Sequence, residues 1–308
     1  MIVLPLVYHE LGYVALEVLA ALGLEVPIVV THKDKDGENI WFPNVADLAR
    51  EQRSEVFYSE DLDDSQLLGL VERTAPDIIL SVYFRRLVRE EIIAVPRLGA
   101  VNLHGSLLPE YRGRAPVNWQ IINGETEGGL TLHYMVRRAD AGAVIGQTRV
   151  PIAEDDTALT LYKRLAPAAR QLLTKELSAS HSWRDVSWEQ DEFQATSFRG
   201  RKPEDGVIDW TRSSEAIFNL VRGVTRPYPG AYSRWDGDLV MVWTVSKARP
   251  NRPDESLSPG SIFREDEVMY VRTGDGWLRL IEIEVCGADA TGSAIDPNDI
   301  SGFDPPTK

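Results

Sequence analysis

Over its first half the chain alternates short apolar runs with stretches of helical periodicity. Residues 2–7 form a continuous apolar run of strand length. Leu11, Val14, Ala15, Val18, Leu19 and Leu22 then recur at helical spacing before Gly23, and residues 26–31 make a second run. A polar loop over 33–43 leads to a helix from Asn44 to about Arg53, another over 67–74, and a buried strand over 77–83. The run 99–103 is a further buried strand. Pro116, with its fixed φ and no N–H to lose, suits the first position of a helix that ends at Gly124. Residues 130–136 and 143–150 alternate as paired strands around the turn Asp140-Ala141-Gly142, and 157–177 is a long amphipathic helix. Strands interleaved with helices predict an α/β domain with a mostly parallel sheet.

From about residue 206 the pattern changes. Short strands are punctuated by Asp236-Gly237, Pro259-Gly260 and Gly274-Asp275-Gly276, which predicts a small β-barrel after a linker over 197–205. The expected division is a Rossmann-like domain over 1–203 and a β domain over 204–308. The opening strand-helix-strand looks like a nucleotide-binding half, but Val7-Tyr8-His9-Glu10-Leu11-Gly12 lacks the GxGxxG glycines, so NAD is not expected. From Ala288 onward the chain is rich in Gly, Asp, Pro and Ser and reads as poorly ordered.

Composition narrows the function classes. The 308 residues are 43% hydrophobic, without an apolar run long enough to span a membrane or a secretory leader, which reads as a cytoplasmic protein. Cys286 is the sole cysteine, and the five histidines (His9, His32, His104, His133, His181) have no HExxH spacing, so no metal is expected. A net charge of −14 and the absence of a long Lys/Arg stripe argue against a nucleic-acid partner. Within 206–308, 11 Lys and Arg stand against 16 Asp and Glu, so a barrel there would repel phosphate overall.

The chemistry concentrates in Val101-Asn102-Leu103-His104-Gly105-Ser106-Leu107-Leu108-Pro109-Glu110-Tyr111-Arg112-Gly113 and in Arg138-Ala139-Asp140-Ala141-Gly142. Asn102 and His104, two positions apart on a strand, leave it on the same side. Gly105-Ser106 and Pro109 turn the chain beyond the strand's carboxyl end, where α/β sheets hold ligands. An Asn amide can donate to a developing oxyanion, an imidazole can take a proton near neutral pH, and a carboxylate can orient and charge-stabilise that imidazole. With no GxSxG elbow, the set suits direct acyl transfer to an incoming nucleophile. Taken singly, His104 reads more readily as a core histidine bonded to a carbonyl, and Asp140 as a turn residue before Gly142.

Asn102-x-His104-Gly-Ser-Leu-Leu-Pro-x-Tyr-Arg-Gly, followed by Asp140 in Ala-Asp-Ala-Gly, resembles the signature of the 10-formyltetrahydrofolate-dependent formyltransferases. The resemblance runs from Tyr8-His9-x-Leu11-Gly12 through Thr31-His32 and Arg112 to Trp119, and on to Pro229-Gly230-Ala231-Tyr232-Ser233. Within the family it is nearest to the formyltransferase domain of the bifunctional lipid A-modifying enzymes that act on UDP-4-amino-4-deoxy-L-arabinose. It implies an OB-like second domain, 10-formyltetrahydrofolate as co-substrate, and Asn102, His104 and Asp140 as the catalytic set. It further implies folate contacts at Arg86, Leu87, Val88, Arg114, Val136, Arg137, Arg138 and Ala139. For Arg86 the alternative is a solvated face shared by Arg85 and Arg89 with Glu90 and Glu91. Tyr8 and His9, at the end of the first strand, are candidates for the sugar site or for the strand-to-helix turn. Arg199, Arg201 and Lys202, with Asp209-Trp210, are candidates for a nucleotide diphosphate and Tyr228 or Tyr232 for its base, although Trp210 reads more readily as core. The acceptor implied is a nucleotide-linked amino sugar, and a homo-oligomer is compatible with all of this. Three alternatives stay open: a methionyl-tRNA formyltransferase, a formyltetrahydrofolate hydrolase, and a non-catalytic folate or nucleotide-sugar binding module. Against the first, residues 33–39 have mixed charge where the tRNA enzymes carry a glycine- and lysine-rich insertion.

Overall fold

The computed structural model describes residues 1–35, 37, 39–179, 182–286, 296 and 300–305. His181 and most of the tail from residue 288 lie outside the described residues. The chain divides into two compact units. One comprises residues 1–116, 127–151 and 162–199; the other comprises 117–126, 152–161 and 200–308.

The first elements follow the apolar pattern: β1 (Val3–Val7), α1 (His9–Ala21) and β2 (Ile28–Thr31), with every residue of both strands buried. Helix α2 (Val45–Glu51) starts where the Asn44 side chain accepts from the Ala46 and Asp47 N–H groups. β3 (Glu55–Tyr58) follows, then α3 (Asp64–Thr74), opened by a capping box of Asp63 and Gln66. Next come β4 (Ile78–Val82), α4 (Glu90–Ile93), β5 (Ala100–His104), β6 (Arg112–Gly113) and α5 (Pro116–Ile122). The long hairpin of β7 (Glu127–Tyr134) and β8 (Val144–Pro151) leads to α6 (Ala158–Ser178), α7 (Trp183–Val186) and β9 (Ser197–Phe198). Seven strands make one sheet in the order β3-β2-β1-β4-β5-β7-β8. Its first five strands are parallel, and β7 and β8 run antiparallel.

Two departures from the sequence expectation stand out here. β3 was not expected: it is the sheet's edge, and its four residues are only partly buried or exposed, so its apolar signal is weak. The segment expected as a linker is partly ordered into the first unit, because Ser197–Phe198 pairs in parallel with Arg112–Gly113.

In the second unit a 3-10 turn (Pro203–Gly206) precedes α8 (Ser214–Val224), β10 (Ala231–Trp235), β11 (Asp238–Lys247), β12 (Ile262–Glu265), β13 (Val268–Arg272) and β14 (Trp277–Cys286). The strands form an antiparallel sheet in the order β10-β11-β14-β13-β12. Helix α8, capped by the Ser213 side chain, was not expected among the strands. Its Ile217, Val221 and Val224 join Val240, Val242, Leu278 and Leu280 in the unit's core. Among the described residues no helix is long and apolar enough to cross a membrane, and no cluster of His, Cys, Asp and Glu is arranged to hold a metal ion.

Candidate active site

At the carboxyl end of β5, Asn102 and His104 are placed by two ladders at once: β5 pairs with β4 in parallel and with β7 antiparallel. The second pairing sets Asn102 opposite His133. The Nδ1–H of His133 donates to the Tyr134 carbonyl at 2.8 Å, which leaves Nε2 as the ring's acceptor. Asn102 Nδ2 lies 3.2 Å from that Nε2 and donates to it, and its second proton is directed at Asp140 Oδ1, 3.4 Å away.

His104 is oriented in a similar way. Its Nε2 is 2.7 Å from the Tyr111 carbonyl; a carbonyl only accepts, so the neutral ring carries its proton there. Nδ1 is then the basic nitrogen, and it sits 3.6 Å from Asp140 Oδ1. The carbonyl-bonded histidine foreseen as the plain alternative is what the structure contains, and that bond leaves Nδ1 as the ring's acceptor.

Asp140 occupies the turn between β7 and β8 at φ 56°, and the Gly113 N–H donates to its Oδ2 at 2.8 Å. Its Oδ1 is also 3.6 Å from His133 Nε2. Burial pushes the Asp140 carboxyl up, but the His104 and His133 imidazoles and the Gly113 N–H outweigh it and hold the group well below the usual carboxylate range. It is a carboxylate throughout the neutral range.

These groups line a cavity of about 440 Å³ at the carboxyl ends of β1, β4 and β5. Of the residues expected at the folate, Arg86, Leu87, Val88, Arg114, Val136 and Ala139 line it, and Arg137 and Arg138 are not among its lining residues. Arg138 is instead paired with Glu192 at 2.6 Å. The Arg86 guanidinium is engaged by the Leu62 carbonyl at 2.7 Å and by Asp64, so it anchors the loop over 83–89. Its carboxylate partner is Asp64, shared with Arg89; neither pairs with Glu90 or Glu91 as the alternative expected. Leu87 and Val136 are large apolar side chains left 69% and 43% exposed on the cavity wall.

Tyr8 and His9 also line the cavity. His9 is enclosed by aromatic rings: Phe42 at 3.8 Å, Trp41 and Tyr162 at 4.7 Å, and Tyr83 at 5.5 Å between centroids. The Tyr162 hydroxyl accepts from the Leu11 N–H and donates to His9 Nδ1 at 2.6 Å. Burial, and then the nearby Arg85 guanidinium, pull the His9 imidazole down to about 3, so it is neutral at physiological pH.

The remaining candidates belong to the second unit. Arg201 stacks on the Trp119 ring at 4.7 Å and donates to the Asp205 carbonyl; Lys202 is exposed and precedes the 3-10 turn. Tyr228 is half-buried after the cis Arg226–Pro227 bond, and Tyr232 is half-buried on β10. Trp210 is core, 2% exposed, with its indole N–H donating to Ser233.

Sequence reasoning missed His133, whose role depends on a cross-strand register no local motif encodes. It also missed a support behind the site. Arg112, 2% exposed, bonds Gln190 and Glu192, and Gln190 in turn donates to the carbonyls of Asp140 and Gly142.

Comparison with known proteins places these features. The formyl transferase family profile matches residues 20–177, and the formyl transferase C-terminal domain profile matches 201–294. Solved structures share the fold at low identity. An N-formyltransferase from Helicobacter canadensis, in complex with folinic acid and dTDP-3-aminofucose, is 19% identical with a TM-score of 0.65, over 92% of this chain and 98% of that one. WlaRD, a sugar 3N-formyltransferase crystallised in the presence of dTDP and 5-N-formyl-THF, is 16% identical with a TM-score of 0.62, over 91% and 98%. HypX from Aquifex aeolicus, in complex with tetrahydrofolic acid, is 17% identical with a TM-score of 0.62 over 94% of this chain; the chain spans 44% of the HypX length.

Proposed function

We propose, for a chain that belongs to the formyl transferase family and is a folate-dependent formyltransferase, that the acceptor is the primary amine of a nucleotide-linked amino sugar. UDP-4-amino-4-deoxy-L-arabinose or a related sugar is the acceptor favoured by the resemblance in sequence. Formyl transfer itself is carried by the meeting of Asn102, His104 and His133 on a single oxygen of Asp140 at a cavity wall, and the sugar acceptor by likeness to enzymes of that kind. That likeness is to the two sugar N-formyltransferases that share the fold over nearly their whole length.

The lining fits a folate. Leu87, Val88 and Val136 offer an apolar wall to its rings, and Arg114, exposed at the cavity, offers a cation to its carboxylates. When bound, 10-formyltetrahydrofolate supplies the formyl carbon. Of the two Asn102 N–H contacts, the 3.4 Å one to Asp140 is the weaker, and its proton is the one that can turn to the formyl oxygen as charge develops there. His104 accepts the amine proton at Nδ1, the tautomer for this being set by the Tyr111 carbonyl. Asp140 then faces an imidazolium across 3.6 Å and stabilises it without itself being protonated; as the bond between the formyl carbon and the folate nitrogen breaks, the His104 imidazolium returns its proton to that nitrogen and tetrahydrofolate leaves.

The test is formyl transfer from 10-formyltetrahydrofolate to UDP- and dTDP-linked 3- and 4-amino sugars, followed by mass spectrometry of the nucleotide sugar. A formylated sugar is expected. Formate release without an acceptor, or formylation of methionyl-tRNA alone, would replace the proposal with one of its rivals.

A further inference from the structure

Arg112 is one of the largest fully buried side chains among the described residues, at 2% exposure, although it belongs to a two-residue strand beside the cavity. Burying a guanidinium is costly unless its donors are met, so its partners identify what it is for. Nε and Nη2 donate to Gln190 Oε1 at 3.1 and 2.7 Å, and Nη1 and Nη2 form a two-pronged contact with Glu192 at 3.1 and 2.7 Å. With its oxygen held, Gln190 turns its amide nitrogen to the Asp140 carbonyl at 2.8 Å and the Gly142 carbonyl at 2.7 Å. The two contacts bracket the turn that presents the Asp140 carboxylate.

Arg112 also stands between two backbone groups that touch the candidate catalytic side chains. The carbonyl of Tyr111, one residue before it, receives the His104 proton, and the N–H of Gly113, one residue after it, binds Asp140 Oδ2. The backbone of this step is held by the same C-terminal segment: Tyr111 N–H donates to Thr196 Oγ1 at 2.8 Å and Arg112 N–H to the Thr196 carbonyl at 2.9 Å. Glu192 is held well below the usual carboxylate range by its bond to Arg112, against the opposing effect of desolvation, with Arg138 adding to the depression.

We infer that Arg112, Gln190 and Glu192 form a brace that sets the distance between His104 and Asp140, with Gln190 as the positioning residue that holds the Asp140 turn. The inference rests on the assignment of those two side chains to the chemical step. At 3.6 Å the His104 to Asp140 contact is longer than a hydrogen bond, so its contribution depends on how rigidly each side is mounted. His104 is mounted on β5, a central strand. Asp140 is mounted on a turn, and the brace supplies the rigidity that the turn lacks.

The test compares Gln190→Glu and Gln190→Met with the wild type. Glu keeps an acceptor for Arg112 but cannot donate to the turn carbonyls, and Met removes both functions at similar volume. Both variants are expected to fold, Gln190→Glu with a thermal transition nearer that of the wild type and Gln190→Met with one several degrees lower, because Met leaves the buried Arg112 guanidinium short of an acceptor. Their kcat should fall about 10- to 100-fold, the scale set by small misplacements of reacting groups, with KM for donor and acceptor little changed. A second readout needs no substrate: the NMR order parameters of the backbone amides of residues 139–142 should fall in both variants, because the turn loses the two bonds that hold its carbonyls. Unchanged kcat together with unchanged order at residues 139–142 would overturn the brace and leave the proposed activity standing. A loosened turn in a protein that transfers formyl to no amine would uphold the brace and overturn the activity. A Gln190→Met variant that fails to fold leaves the decision to Gln190→Glu.

Discussion

Asn102 Nδ2 lies 3.2 Å from the Nε2 of His133, its partner across β5 and β7. Because the other ring nitrogen is committed to the Tyr134 carbonyl, the imidazole can offer only a lone pair. The Asn102 amide is therefore held with its nitrogen toward His133 and Asp140 before any ligand arrives, and a formyl oxygen takes up its second N–H by replacing the 3.4 Å contact to Asp140.

Asn102→Ala is expected to lower the single-turnover rate of formyl transfer about 100- to 1,000-fold, the usual loss for an oxyanion donor. Binding of 5-formyltetrahydrofolate, followed by tryptophan fluorescence, should stay close to wild type. His104→Ala should fall by a similar or larger factor. Near-normal turnover in either variant would remove that residue from its assigned role.

His9 predicts a pH dependence of stability. Its imidazole is held at about 3 in the fold, below its ordinary value near 6.5, so the folded state favours the neutral ring. The corresponding stability is fully present above about 6.5 and is lost progressively as pH falls from there toward 3. His9→Gln removes that dependence. The gap between wild-type and variant urea midpoints should be smaller at pH 4.5 than at pH 7.5; parallel behaviour at both would show that the ring is not held neutral.

His32 ties the cavity wall to the sheet. Its Nε2 accepts the Arg85 N–H at 2.9 Å while Nδ1 donates to Glu60 at 2.7 Å. His32→Leu should weaken folate binding about 3- to 10-fold, the worth of one hydrogen bond, and His32→Gln, which can both accept and donate, should recover most of it. Titration calorimetry with 5-formyltetrahydrofolate measures both. Equal affinities for all three proteins would mean that Arg85–Val88 holds its position without this tie.

Gly113 leaves no room for a side chain. It sits at φ +101°, and a Cβ there would lie 2.2 Å from the Phe198 carbonyl oxygen. Gly113→Ala should cost about 1–3 kcal/mol for the backbone conformation alone, with the clash added, and should also disturb the N–H bound to Asp140. Thermal unfolding reads the first effect and kcat the second. A variant as stable and active as wild type would contradict the close β6–β9 pairing.

Much of this was legible because the signals were local. Buried strands announced themselves as apolar runs, and Asn102, His104 and Asp140 fell within short motifs whose spacing places them at the end of a strand or in a turn. What escaped depended on partners far along the chain. His133 matters through its register opposite Asn102, and Gln190 through an arginine 78 positions earlier. Arg138, basic and next to the Asp140 turn, looked like a ligand contact, yet it meets an acid 54 positions later. Helix α8 was a different kind of miss: Ser213 and the spacing of Ile217, Val221 and Val224 encode it locally, and the surrounding turn signals drew attention away.

The interleaving of the two units bears on how the protein is made. Residues 117–126 and 152–161 leave the ribosome well before the residues they pack with in their own unit. Asn118 waits for the Gly223 carbonyl, and the Ala153 and Asp156 carbonyls wait for the Arg222 guanidinium. A message cut after codon 203 would yield a polypeptide in which none of these three bonds can form, and in the full chain they must wait until residues 222 and 223 have been made.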